Sequence, residues 1–326
     1  MVDFLSVFKK TGAYKTLVGE KKADRLSHAY LLVAPDGENL IEYLKICAKI
    51  ILCKESEVCG ECRTCKLIDS NTLTDLKTYP QDGESVLVKD VSDLIEESFI
   101  KPIEAEKKIF IIDQAQTMNI QAQNKLLKTL EEPPKNVVII IGTTSEYPIL
   151  PTIRSRVKKL TMQALPDDVV ISALQDEFED LDLLKTAVYS GDGTLGKAVK
   201  NYNDPAFIEM RAVVLDTLIN MKSSKNILEY STKISGLKFD TDDLLDTFEL
   251  LVKELLYLRQ GKKDLIKSKE ISGRIDEFNE FSLGAVVSSL EKITEARKRK
   301  KFNVNSATVI EWLLFQILEA KYKWRK

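Results

Sequence analysis

The chain has 326 residues, enough for two or three domains, with 44% hydrophobic and 30% charged residues, the balance of a globular protein. Its 48 basic and 50 acidic side chains leave a formal net charge of −2, which excludes a protein whose overall charge is built for nucleic acid. No apolar run reaches the ~18 residues needed to span a bilayer, and the opening MVDFLSVFKKTGAYKTL lacks a basic stretch followed by a long apolar one, so a cytoplasmic protein without a leader is expected.

In chain order, residues 29–34 read as a buried strand and 38–52 as the helix behind it. A short strand is expected at 86–88, and the apolar spacing of 91–100 is helical. The runs KIFIID (108–113) and NVVIIIG (136–142) are uninterrupted and rich in isoleucine and valine. They fit strands covered on both faces, as in a parallel sheet. Between them, 122–130 is a helix stopped by Pro133 and Pro134. This alternation predicts a three-layer α/β domain. After about Gln163 the strands give way to helices at 169–177 and 182–190, then to a glycine-rich stretch, SGDGTLGKA, that leads into another helix. Long amphipathic helices follow at 207–221, 242–259, 283–298 and 306–321. The expected division is an α/β domain over 1–162, a small helical domain over 163–203 and a larger helical domain over 204–326.

A strand that turns straight into a helix is where a phosphate-binding loop, G-x-x-x-x-G-K-[ST], would stand. The matching stretch runs Ala34, Pro35, Asp36, Gly37, Glu38, Asn39, Leu40, Ile41. Ala34 and Asn39 replace the two glycines, Leu40 the lysine and Ile41 the metal-binding hydroxyl. Each charge-assisted bond to phosphate contributes about 1.5–3 kcal/mol, so losing both side chains weakens nucleotide binding by orders of magnitude. Asp36 and Glu38 add repulsion. The alternative is an ordinary strand–turn–helix that never held phosphate. At the end of KIFIID, Asp113 stands where a metal-orienting acid belongs, but the glutamate position is Gln114, which cannot act as a base. Asp113 alone reads equally as a helix N-cap.

Cys53, Cys59, Cys62 and Cys65 form C-x5-C-x2-C-x2-C, with Gly60 at the knuckle. Four thiolates around one ion favour structural Zn2+, with no position left open for water. Cys47 is an alternative fourth ligand, although its helix reads as core. His28, the lone histidine, reads as a satisfied buried side chain. The basic run 297–301 and the tail KYKWRK (321–326) read as solvated helix ends.

These residues resemble the clamp-loader subunits of the AAA+ ATPases, and the resemblance covers most of the chain. It rests on HAYL (28–31) before the degenerate loop and on IFIIDQAQTMNIQAQNKLLKTLEEPP (109–134) as the second acidic motif with its helix. It rests also on TTSEYPILPTIRSRV (143–157), similar to the sensor-1 and Ser-Arg-Cys region, on GTLGKA (193–198), similar to the lid, and on EARKRKKFNVNSATVIEWLL (295–314), similar to the helical collar. The resemblance implies an α/β plus all-α fold: an AAA+ P-loop-type parallel sheet with a zinc knuckle at 53–65, a helical lid and a C-terminal collar that mediates oligomerisation.

Motor subunits of this family keep an intact phosphate loop, whereas this chain keeps only the Ser-Arg pair, Ser155 and Arg156. The resemblance therefore implies a member of the DNA polymerase III clamp loader that binds no ATP itself. It would sit beside gamma/tau-type motor subunits and the delta subunit, and act with the sliding clamp and primed DNA through the complex. Arg156 would be an arginine finger reaching a neighbour's ATP, a contribution of about 10³–10⁵ in rate. Arg154 competes for that role, and Val157 stands in place of the family's cysteine. Without the resemblance, Arg156 is a surface arginine of a loop. The alternatives are an ATP-binding motor of gamma/tau type, or a zinc-containing DNA-binding protein outside replication.

Overall fold

The computed structural model describes residues 2–81, 85–237, 239–302 and 304–324. The chain forms two compact units. The first takes in residues up to Leu181 together with Gly191–Lys197, and the second takes in Asp182–Ser190 together with the residues from Ala198 on.

The first unit opens with helices α1 (Phe4–Lys9) and α2 (Gly12–Lys22), capped by Asp3 and Thr11 through the N–H groups of Ser6 and Tyr14. Strand β1 (Ala29–Val33) leads to α3 (Leu40–Leu52), and α4 (Arg63–Asp69) precedes β2 (Leu76–Tyr79). Then come α5 (Val88–Ser98), β3 (Lys108–Ile112), α6 (Ile120–Glu131), β4 (Val137–Thr143), α7 (Pro151–Arg154), β5 (Lys158–Thr161) and α8 (Asp167–Leu174). All strand pairs are parallel, in the order β2-β3-β4-β1-β5. β1 lies between β4 and β5, with Leu31 opposite Ile141 and Lys159. Every residue of β3 and β4 is buried, as expected of strands in the middle of a parallel sheet. Ala29, Leu31, Phe110, Ile112, Ile139 and Ile141 pack with Leu94 of α5, Leu126 of α6 and Ile153 of α7. Helix α3 packs on β4, where Gly142 lets Leu44 in; a Cβ on Gly142 would stand 2.5 Å from Leu44 Cδ1.

Two expectations are corrected here. Residues 86–88 are not a strand: the Val86 N–H donates to Thr117 Oγ1, and the Leu87 N–H to Asp90 Oδ2, which starts α5 at Val88. The strand before α5 is β2, ten residues earlier. The helix expected from 38 begins at Leu40, with Asn39 as its N-cap.

The second unit contains α9 (Leu181–Tyr189) from its second residue on and most of α10 (Leu195–Asn203), whose first three residues close the Gly191–Lys197 return to the first unit. Helices α11 (Pro205–Asn220), α12 (Ser224–Gly236), α13 (Thr241–Arg259), α14 (Lys269–Ser272), α15 (Leu283–Lys301) and α16 (Ser306–Lys323) complete it. Its core joins Leu244, Phe248, Leu251 and Leu255 of α13 to Val286 and Ile293 of α15 and Leu313 and Ile317 of α16. Asp240, Ser282 and Asn305 cap the three long helices by accepting from first-turn N–H groups. The basic run 297–301 ends α15: Arg297 pairs with Asp246 and Glu249, and Arg299 stacks 3.9 Å above Trp312. Asn303 of the 295–314 segment, and Arg325 and Lys326 of the tail, lie outside the described residues. Among the described residues no helix is long and apolar enough to cross a membrane.

Candidate functional site

Three constellations stand in the first unit. The first is the turn from β1 into α3. Ala34 and Leu40 are fully buried, and Asp36 is 2% exposed. The Asp36 carboxylate accepts from Asn39 Nδ2, from the Tyr43 hydroxyl at 3.5 Å, and from the N–H groups of Leu195 and Gly196 at 3.2 and 3.3 Å. Burial, and then the charge of Asp36, push the Tyr43 phenol well above its ordinary range. The carbonyl of Gly37 accepts from Gln114 Nε2 at 2.7 Å, so the loop and the residue after β3 are tied together. Asp113 accepts from the N–H of Gln114, and burial raises its carboxyl above the usual aspartate range. Gln116 Oε1 accepts from the Thr143 hydroxyl at 2.8 Å, at the end of β4. The amides of Gln114 and Gln116 thus link the segment after β3 to the turn after β1 and to the end of β4. That partnership spans residues too distant in sequence for motif reading to find.

The second constellation is the end of α7. Arg156 meets Glu131 of α6 at 2.6 Å and donates to the Thr152 carbonyl at 2.8 Å and to Ser155 Oγ at 3.3 Å. The Arg156 side chain is about one-third exposed, at 35%. Arg154, two residues earlier, has a buried Nε without a hydrogen-bond partner among the described residues. Both arginines are half-buried; they differ in that Arg156 is paired with a carboxylate, whereas Arg154 has a buried, unpaired Nε. His28 packs nearby, with Nε2 3.1 Å from the Leu130 carbonyl.

The third constellation is the cysteine cluster. Cys53 follows α3 as its C-cap, and Cys62 caps α4, accepting from the N–H of Cys65. The four ligand sulfurs of Cys53, Cys59, Cys62 and Cys65 lie within 4.8 Å of one another, with Cys53–Cys59 at 3.5 Å and Cys53–Cys62 and Cys59–Cys65 at 4.0 Å. Tetrahedral metal–sulfur bonds of about 2.3 Å require sulfurs roughly 3.8 Å apart, so these residues fit one ion. Gly60 has φ +72°, the left-handed conformation that the knuckle needs. N–H groups of Cys62 and Glu61 aimed at the Cys59 sulfur bring its thiol down to about 6, a thiolate at neutral pH. Cys47 is not in the cluster; it is fully buried in α3, and burial pushes its thiol up to about 12. The four clustered cysteines could hold a metal ion.

A family model described as DNA polymerase III, delta subunit matches residues 9–166. The chain is 28% identical over 316 residues to the DNA polymerase III subunit delta' of Bacillus subtilis, covering 94% of this chain and 95% of that one. It is 27% identical over 266 residues to the gamma/tau subunit of Mycoplasma genitalium, covering 77% of this chain but 43% of that longer protein. A solved gamma subunit-related protein of Thermotoga maritima is a distant likeness, at 19% identity and a TM-score of 0.46, covering 94% of this chain and 99% of that one. The parallel sheet, with β1 between β4 and β5 and a turn-to-helix loop after β1, defines the class: a parallel α/β unit joined to a helical unit. Within that class, residues 9–166 match the delta-subunit family model, and the chain is similar to a delta-prime subunit over nearly its whole length.

Proposed function

We propose that the chain is a delta-prime-type subunit that binds no ATP and serves the ATP sites of its neighbours. The observation that carries this reading is the turn after β1 in a chain similar to a delta-prime subunit: Leu40 and Ile41 would offer phosphate and Mg2+ nothing, and the carboxylate of Asp36 occupies the turn. Gln114 supports it, since an amide cannot take a proton from an attacking water. Its partners would be gamma/tau-type motors and the delta subunit, and through them the sliding clamp and primed DNA in the cytoplasm. The division 1–162, 163–203 and 204–326 would correspond to sheet domain, lid and collar.

Arg156 is the proposed chemical contribution, with Ser155 beside it. Its surface placement supports the role, because a finger must leave its own chain. The Glu131 pair is a solvent-exposed one of about 0–1 kcal/mol, and a neighbour's triphosphate would displace it easily. The metal is proposed to be structural Zn2+, because four thiolates close the coordination sphere. The test is ATP turnover by a reconstituted loader with clamp and primed DNA, comparing wild type with Arg156→Ala. At least a tenfold loss with assembly intact is expected; unchanged turnover would reject the finger. Equilibrium titration of the isolated chain with ATP is expected to show no binding, and tight binding would favour the motor reading.

A further inference from the structure

The surroundings of Asp36 are more than a failed nucleotide site. Leu195 and Gly196 open α10, and N–H groups at a helix start have no acceptor within their own helix. Here both point at one oxygen of Asp36, a residue 159 positions earlier in the chain for Leu195. Asn39 Nδ2 reaches both oxygens of the same carboxylate, at 3.3 and 3.2 Å, and the Tyr43 hydroxyl reaches one. The approach is close enough to require glycine: a Cβ on Gly196 would stand 2.7 Å from Asp36 Oδ1 and 2.7 Å from Glu38 Cβ. A few residues earlier, Gly193 has φ +71° and its carbonyl accepts from the Leu165 N–H at 2.8 Å. Residues 191–197 are thus tied to the first unit at two points.

Converging backbone N–H groups at a helix start, buried and joined by neutral side-chain donors, form a cradle for an oxyanion. We propose that Asp36 is the built-in occupant of such a cradle, and that its carboxylate latches residues 191–197 onto the α/β unit without any ligand. A bound anion dissociates and a covalently attached one does not, so this segment stays docked whatever small anions the solution contains. The latch deepens the reading that this chain holds no nucleotide. Its test contains no nucleotide, so either idea can fail without the other.

Hydrogen exchange on the full-length chain tests it, read on the peptide spanning 191–197 in wild type, Asp36→Ala and Gly196→Ala. Excess sodium formate is compared with sodium chloride at equal ionic strength. In Asp36→Ala this peptide is expected to exchange about tenfold faster, the scale of losing bonds to a charged group. Formate, a carboxylate small enough for the vacated space, restores protection in that variant; chloride does not, and wild type responds to neither. Unchanged exchange in Asp36→Ala overturns the latch. So does faster exchange on which formate and chloride act alike, because Asp36 would then only fill space. Gly196→Ala keeps the test decisive if Asp36→Ala fails to fold. Alanine is the better helix former, so a helix start without a latch gains protection. The latch demands the opposite, at least severalfold faster exchange, and equal or slower exchange overturns it.

Discussion

At the scale of single residues, the cysteines give the sharpest expectation. Cys59→Ser and Cys62→Ser should each lower the metal content of the purified chain from about one ion to a small fraction, whereas Cys47→Ser should leave it unchanged. Elemental analysis of the three variants decides this. The cluster was legible because metal-ligand spacing is local: Cys59, Cys62 and Cys65 announce themselves within seven residues. The preference for Cys53 over Cys47 was legible only through the apolar character of the helix around Cys47. It depends on where α3 ends, which leaves Cys53 free to turn toward Cys59 and Cys47 inside the helix. The apolar residues Leu40 and Ile41 at the turn after β1 could likewise be read directly from sequence. The partners of Asp36 and Arg156 could not, because Leu195 and Glu131 reach them only through the fold.

At the scale of elements, burial decided what could be read. β3 and β4 are continuous apolar runs and stand where the sequence places them. β2 reads Leu-Lys-Thr-Tyr and is only partly buried over its first three residues, and β5 exposes three of its four. Such edge strands carry no apolar run to detect. α5 is held to the start of β3 by charge: Lys108, 4% exposed, meets Glu97 at 2.7 Å, and Lys77 of β2 meets the same carboxylate at 2.8 Å. Hydrogen bonds from Lys108 and then Lys77 hold the Glu97 carboxyl below the ordinary glutamate range. A carboxyl depressed in this way adds stability that is complete above its unfolded value and is lost as pH falls through its folded value. Glu97→Gln should therefore cost about 3 kcal/mol at neutral pH, by stripping the charge partner of a buried lysine, and should flatten the acid limb of stability. Urea midpoints across pH 3–7 (roughly the span of carboxylate titration) test both parts. On β4, Gly142→Ala should destabilise by about 1–3 kcal/mol through crowding of Leu44, measured by the same unfolding assay.

At the scale of the molecule, the change from α/β to all-α was legible, because uninterrupted β-branched runs stop after 142 and helical spacing takes over. The interleaving was not legible: Asp182–Ser190 joins the helical unit before Gly191–Lys197 returns to the sheet unit. Nothing in local composition marks that crossing, since it depends on contacts such as Leu165 with Gly193. Both tryptophans, Trp312 and Trp324, stand in the helical unit, so their fluorescence reports on that unit. Phe248→Ala, which empties a fully buried site in α13, should cost about 3–5 kcal/mol on that signal.

The strand order has a consequence for the chain as it is being synthesised. β1 is made first of the strands, yet its sheet partners are β4 and β5, and the last of these ends at Thr161. An early, strongly apolar segment must therefore remain unpaired on the ribosome while more than a hundred further residues emerge. The sheet unit is complete only when Gly191–Lys197 has followed. A nascent chain stalled before β4 would display Ala29–Val33 with no strand to receive it, a state in which aggregation and chaperone capture compete directly with folding.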